Sequence, residues 1–142
     1  MALGITVRQD IFPPQLGVRR KILLVDENGK DRGYLAAVLS GHGYDVRACA
    51  SAAEGSRCLE EARYDFVVVS QGSRAFEGRS VLERIVDIDR GIPVVVLTRC
   101  VDMSCYIEAM QLGAVDYLEK PLTDSDLLRV VATHLKPVPV AA

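Results

Sequence analysis

Four short runs, apolar or nearly so, each end on a polar side chain, and this repeated pattern constrains the fold more than any other feature of the chain. They are Ile22-Leu23-Leu24-Val25 before Asp26-Glu27, Phe66-Val67-Val68-Val69 before Ser70, Pro93-Val94-Val95-Val96-Leu97 before Thr98, and Asp116-Tyr117-Leu118-Glu119 before Lys120-Pro121. Runs that are apolar without alternation fit strands buried on both faces, which occur in parallel sheets covered by helices. The polar ends then gather along one edge of the sheet, the carboxyl edge.

Between the runs the apolar spacing becomes helical. Tyr34, Leu35, Val38 and Leu39 recur at that spacing until Gly41-His42-Gly43, residues that tolerate left-handed dihedrals, stop the helix. A short strand is expected over Asp45 to Ala50, and Ser51 can cap a helix carrying Ala52, Gly55, Leu59 and Ala62. A third helix is expected from Gly78 to Asp89 with Val81, Leu82, Ile85 and Ile88 inward, and a fourth from Ser104 to about Leu112, closed by Gly113. Thr123-Asp124-Ser125-Asp126 is a near capping box that opens a fifth, with Leu127, Leu128, Val131 and Leu135 on one side. Pro137 and Pro139 cannot continue that helix.

Strands alternating with helices predict an α/β fold, a doubly wound five-stranded parallel sheet with helices on both faces. The expected organisation of the 142 residues is a flexible N-terminal arm over 1–19 containing Pro13-Pro14, one domain over 20–136, and a C-terminal tail over 137–142. Ligand crevices in such sheets lie beyond the carboxyl ends of the strands, so topology alone brings Asp26, Ser70, Thr98 and Lys120 together.

A net charge of -2 offers no basic field for a nucleic-acid backbone, and no apolar run approaches a membrane span. No signal peptide opens the chain, and a cytoplasmic protein is expected, without nucleic-acid or membrane partners. Cys49, Cys58, Cys100 and Cys105 show no metal-ligand spacing with His42 or His134, so buried, reduced thiols are expected. Cys100 and Cys105 follow Thr98 in a loop and helix start, where a thiol's pKa can fall, and they carry a redox alternative.

The chemistry available at the edge follows from the residue types. Asp26 and Glu27 form an anionic corner suited to a hard divalent cation, to which the Gly72 carbonyl can add an oxygen. Lys120 and the Thr98 hydroxyl can hold a phosphoryl oxygen, although without an acceptor carboxylate the favoured reading pairs Lys120 with Asp26. What is missing is a nucleophile. Ser70 attacks poorly without a base, neither histidine stands at a strand end, and Asp65, five residues earlier on an extended strand, lies about 16 Å away near the opposite edge.

Together these residues resemble the receiver domain of two-component response regulators, over about Arg20 to Lys136. Asp26 and Glu27 match its metal-binding acidic pair, Gly78 the glycine eight residues after the phosphate acceptor, Thr98 the switch hydroxyl, Tyr117 the aromatic switch position, and Lys120-Pro121 the lysine followed by a usually cis proline. The resemblance implies the flavodoxin-like strand order 2-1-3-4-5. The departures fall at the site: Ser70 stands where the family has its acceptor Asp, Ser73-Arg74 replaces Met-Pro, and Arg99 replaces a small residue. Arg99 is expected to crowd the phosphoryl position.

The resemblance therefore implies an atypical receiver, a pseudo-receiver in phosphorelay signal transduction. It is not an enzyme, needs no cofactor, binds Mg2+ weakly at most, and acts by phosphorylation-independent contact with signalling proteins. The face of the fourth helix, fifth strand and fifth helix is the implied surface for a partner or a homodimer. The alternatives are a receiver that accepts phosphoryl on an unconventional residue, and a small-molecule or redox sensor using the altered crevice.

Overall fold

The computed structural model describes residues 19–137; the expected arm, apart from Arg19, and the tail from Val138 onward lie outside them. Five strands, β1 (Lys21–Val25), β2 (Asp45–Cys49), β3 (Phe66–Ser70), β4 (Val94–Thr98) and β5 (Asp116–Glu119), alternate with five helices. The helices are α1 (Gly29–Gly41), α2 (Ala52–Glu61), α3 (Arg79–Ile88), α4 (Met103–Gln111) and α5 (Asp124–His134). All strand pairs are parallel, in the order β2-β1-β3-β4-β5. This is the flavodoxin-like order.

Alternation within each strand divides the core in two. Leu23 and Val25 of β1, Val67 and Val69 of β3, and Val94 and Val96 of β4 pack with Leu59 of α2, Val81, Leu82 and Ile85 of α3, and Ala109 of α4. The intervening Ile22, Leu24, Phe66, Val68, Val95 and Leu97 pack on the other face against Leu35 and Leu39 of α1 and Leu127 and Val131 of α5. Burial on both faces is why these strands read as unbroken Val/Leu/Ile runs.

Side chains fix where most helices begin. Asn28, Ser51, Asp102 and Thr123 each accept the amide of the residue three positions on, whereas α3 starts at Gly78 with no side-chain cap. A Cβ at Gly78 would lie 2.2 Å from the Ser70 carbonyl oxygen, so only glycine lets α3 start this close to the end of β3. Two expectations need correction. Ile88, at the last turn of α3, is 44% exposed because it edges an open cleft beside Leu59 and Ala62 at the end of α2. Cys100 is exposed, lying in the loop after β4 rather than in the core.

Candidate functional site

At the carboxyl edge the chain places one buried cation against two carboxylates. Asp26 is 1% exposed; its amide donates to the Cys49 carbonyl (3.0 Å) and its Oδ1 accepts the Asn28 amide (3.0 Å). The Lys120 amide donates to the Thr98 carbonyl (2.8 Å), which aims the side chain across the edge. Lys120 Nζ then lies 2.8 Å from Asp26 Oδ2 and 2.9 Å from Asp31 Oδ2. Asp31, in the first turn of α1, also receives Arg99 through Nη2 (2.5 Å) and Nε (3.1 Å). Burial works against the Asp31 charge, but the hydrogen bonds from Arg99 and Lys120 outweigh it and hold this carboxyl below its ordinary pKa.

Ser70 lies beside this ion cluster at the end of β3, 93% buried by its 7% exposure, and its Oγ accepts the Gly72 amide at 3.2 Å. Gly72 adopts φ +83°, and Glu77 folds over it so closely that a Cβ there would meet Glu77 Oε1 at 2.4 Å. Glu77 is held by the Ser73 amide (2.7 Å) and hydroxyl (2.8 Å to Oε2), and these bonds keep its pKa below the usual value. A cleft of about 510 Å³ opens here, walled by Val25, Ala50, Ala52 and Gly78 and carrying Glu27, Ser70 and Glu77. Its charged lining is acidic, with no cation.

A second network runs from β3 to α4 and β5. Gln71, fully buried, donates Nε2 to the Ser73 and Cys100 carbonyls (3.2 Å each), and its Oε1 accepts the Tyr117 hydroxyl. The Asp102 amide donates to the same Tyr117 oxygen at 3.2 Å. Burial is the largest influence raising the Tyr117 pKa, so the phenol stays protonated and able to donate. Thr98 is turned onto its own loop: Oγ1 accepts the Cys100 amide (2.9 Å) and donates to the Cys100 carbonyl (3.0 Å). The Tyr106 ring on α4 meets Tyr117 edge-on, centroids 5.5 Å apart.

Comparison with known proteins agrees with this architecture. The family model for the response regulator receiver domain matches residues 22–132. The chain belongs to that family. It is 29% identical over 119 residues to the DNA-binding response regulator MtrA of Mycobacterium tuberculosis, covering 84% of this chain and 52% of that protein. It is 34% identical over 109 residues to the transcriptional regulatory protein ZraR of Escherichia coli, covering 75% of this chain and 24% of that protein. The receiver thus spans about half the length of the mycobacterial relative and a quarter of the other. Among solved structures, a response regulator receiver domain from Clostridium thermocellum superposes with TM-score 0.73 at 29% identity, covering 81% of this chain and 93% of that one. A receiver from Methanospirillum hungatei shares the fold with TM-score 0.77 at 23% identity, covering 82% and 93%.

Within the receiver, Lys120 meets Asp26 directly, the strand register sets Ser70 and Thr98 along the same edge, and Lys120-Pro121 is cis. Arg99 does not crowd the position above Ser70: its guanidinium is bound to Asp31 on the α1 side. Arg74 reaches outward to Asp102 Oδ2 at 3.6 Å. Cys105 does not have a lowered pKa, since burial pushes its thiol up. Asp65 accepts the Lys21 amide at 2.7 Å, at the strand entrances on the opposite edge.

The donors present fit a resident magnesium ion poorly. Both Asp26 oxygens are engaged, by Lys120 and by the Asn28 amide, and Ser70 contributes no charge. Among the described residues no three His, Cys, Asp or Glu side chains gather as a metal would need. Asp31, Gln71 and Glu77 take part in the site although sequence reasoning did not single them out. None carries a motif, and only their contacts in the folded chain reveal them.

Proposed function

We propose that this receiver signals by protein contact and forms no aspartyl phosphate. The observation that carries this is at the end of β3, where a neutral Ser70 hydroxyl, engaged by the Gly72 amide, stands in place of a carboxylate. An acyl phosphate needs a carboxylate, and a serine ester would need a base. Among the described residues Ser70 Oγ has no side-chain hydrogen-bond partner, and His42 and His134 close α1 and α5 at the opposite edge. Lys120, the cation suited to a phosphoryl oxygen, is already occupied by Asp26 and Asp31. Magnesium binding is weak for the same reason.

The partner surface on this reading is the α4–β5–α5 face. Met103, Tyr106, Ile107 and Met110 line one side of α4 at helical spacing, and with Val101 they are all at least 38% exposed. Exposed apolar groups concentrated in this way fit a contact with a signalling protein or a second copy of the chain. A cytoplasmic setting and the absence of nucleic-acid contacts belong to the same proposal; among the described residues no helix is long and apolar enough to cross a membrane.

The test is hydrogen exchange over residues 98–111 with and without acetyl phosphate and magnesium. The two profiles should coincide. Slower or faster exchange on addition of the phosphodonor would overturn the reading.

A further inference from the structure

A pair of thiols lies behind the wall of the cleft. Cys49 ends β2 and Cys58 lies in the second turn of α2; each is 1% exposed, and their sulfurs are 3.3 Å apart, both as free thiols. A disulfide bond requires about 2.05 Å, so the two sulfurs, already in contact, must approach by about 1.25 Å to bond. Ala50 and Ser51, between β2 and α2, and Ala52, which opens α2, form one wall of the cleft beside Ser70. The Cys49 carbonyl accepts the Asp26 amide at 3.0 Å, connecting the pair directly to the ion cluster.

We propose that Cys49 and Cys58 are a dithiol modification site, oxidised by a hydroperoxide to an intramolecular disulfide that pins α2 to β2 and tightens the Asp26 end of the site. In the first step one sulfur takes an oxygen from the peroxide, giving a sulfenic acid and an alcohol. In the second, the other sulfur displaces that oxygen as water. Two thiols and one hydroperoxide become one disulfide, one alcohol and one water, with two electrons passing from sulfur to the peroxide O–O bond.

Burial, and then the neighbouring Cys58, push the Cys49 thiol up to about 12, so in the closed fold Cys49 rests as a thiol. Among the described residues β2 is an edge strand, paired with β1 alone, and its local opening is the route by which peroxide reaches the sulfurs. Oxidation is therefore slow compared with that of an exposed thiol. It provides an input that does not depend on phosphoryl transfer at Ser70.

The experiment treats the Cys100→Ser chain, which lacks the exposed thiol, with hydrogen peroxide. The expected product is lighter by about 2 Da, and its tryptic peptides 48–57 and 58–63 are joined until reductant is added. Its thermal midpoint should rise by roughly 5 to 10 °C, and exchange of the Asp26 amide should slow. Cys58→Ser in the same background should lose the cross-link, while the unsubstituted chain controls for folding. Persistence of two alkylatable thiols at Cys49 and Cys58 after peroxide would overturn the proposal. So would a disulfide that leaves Asp26 amide exchange unchanged.

Discussion

The Tyr117 hydroxyl donates to the side-chain oxygen of Gln71, which ties β5 to the loop after β3 through a fully buried amide. Because Gln71 also binds the Cys100 carbonyl, an uncharged side chain holds the entry to α4 beside the charged Asp102 cap.

Gln71→Met keeps the volume and removes the amide, leaving the Ser73 and Cys100 carbonyls and the Tyr117 hydroxyl to find other partners. Unsatisfied buried polar groups cost about 1–3 kcal/mol each, so a total loss of about 2–4 kcal/mol in urea unfolding is expected. Amide exchange should quicken over residues 99–106 and stay unchanged in α2. An unchanged unfolding midpoint would mean that the amide contributes nothing.

Lys120→Met leaves Asp26, 1% exposed, without its cation, and a stranded buried charge costs about 3–5 kcal/mol. Asp31→Asn leaves Lys120 paired with Asp26 and should cost about 1–2 kcal/mol. Chemical denaturation of the two variants should preserve that order.

Acid should expose the Asp31 contribution. A carboxyl whose pKa is depressed in the folded chain adds stability that is complete above its unfolded value, near 3.8, and is lost as pH falls through the lower folded value. Glu77 and Asp102 are depressed as well, by hydrogen bonds from the Ser73 amide and the Cys105 amide respectively, so the acid limb is shared. Asp31→Asn should flatten the stability profile between about pH 5 and pH 2 without abolishing its slope. An unaltered limb would show that the Arg99 and Lys120 contacts do not stabilise the ionised form.

Gly78→Ala places a methyl group 2.2 Å from the Ser70 carbonyl oxygen, which is backbone and cannot rotate away. A loss of about 2–3 kcal/mol is expected, the upper range of overpacking, with the start of α3 shifted. Thermal unfolding would read the loss directly.

These cases show why parts of the site were legible in the sequence and others were not. β1, β3 and β4 are readable because burial on both faces forces nearly unbroken Val/Leu/Ile runs, and the helix starts because Ser51 and Thr123 are short hydroxyl caps. Asp26, Thr98 and Lys120 were readable as strand ends, since topology fixes where those point. Asp31 is one polar residue among several in the first turn of α1, and only the reach of Lys120 and Arg99 marks it. Gln71 follows a strand end as many loop residues do, and its complete burial comes from the closure of three segments over it. Arg99 was misplaced because neighbouring chain position says nothing about which of two nearby charges a long side chain will meet. The Cys49–Cys58 contact joins two elements whose packing distance no spacing rule reveals.

Ser70→Asp separates the missing carboxylate from the rest of the site. A third anionic oxygen should strengthen magnesium binding by at least about tenfold in a calorimetric titration. Lys120 would remain shared with Asp26 and Asp31, so phosphorylation of this variant should be slow. Equal magnesium affinity in the two chains would show that Ser70 is not what weakens the site.

The most direct test is intact-mass measurement of the unsubstituted chain after incubation with acetyl phosphate and magnesium, before and after hydroxylamine. The mass should stay unchanged, because no carboxylate at the end of β3 is available to form an acyl phosphate. A stoichiometric gain of about 80 Da that hydroxylamine removes would contradict the account.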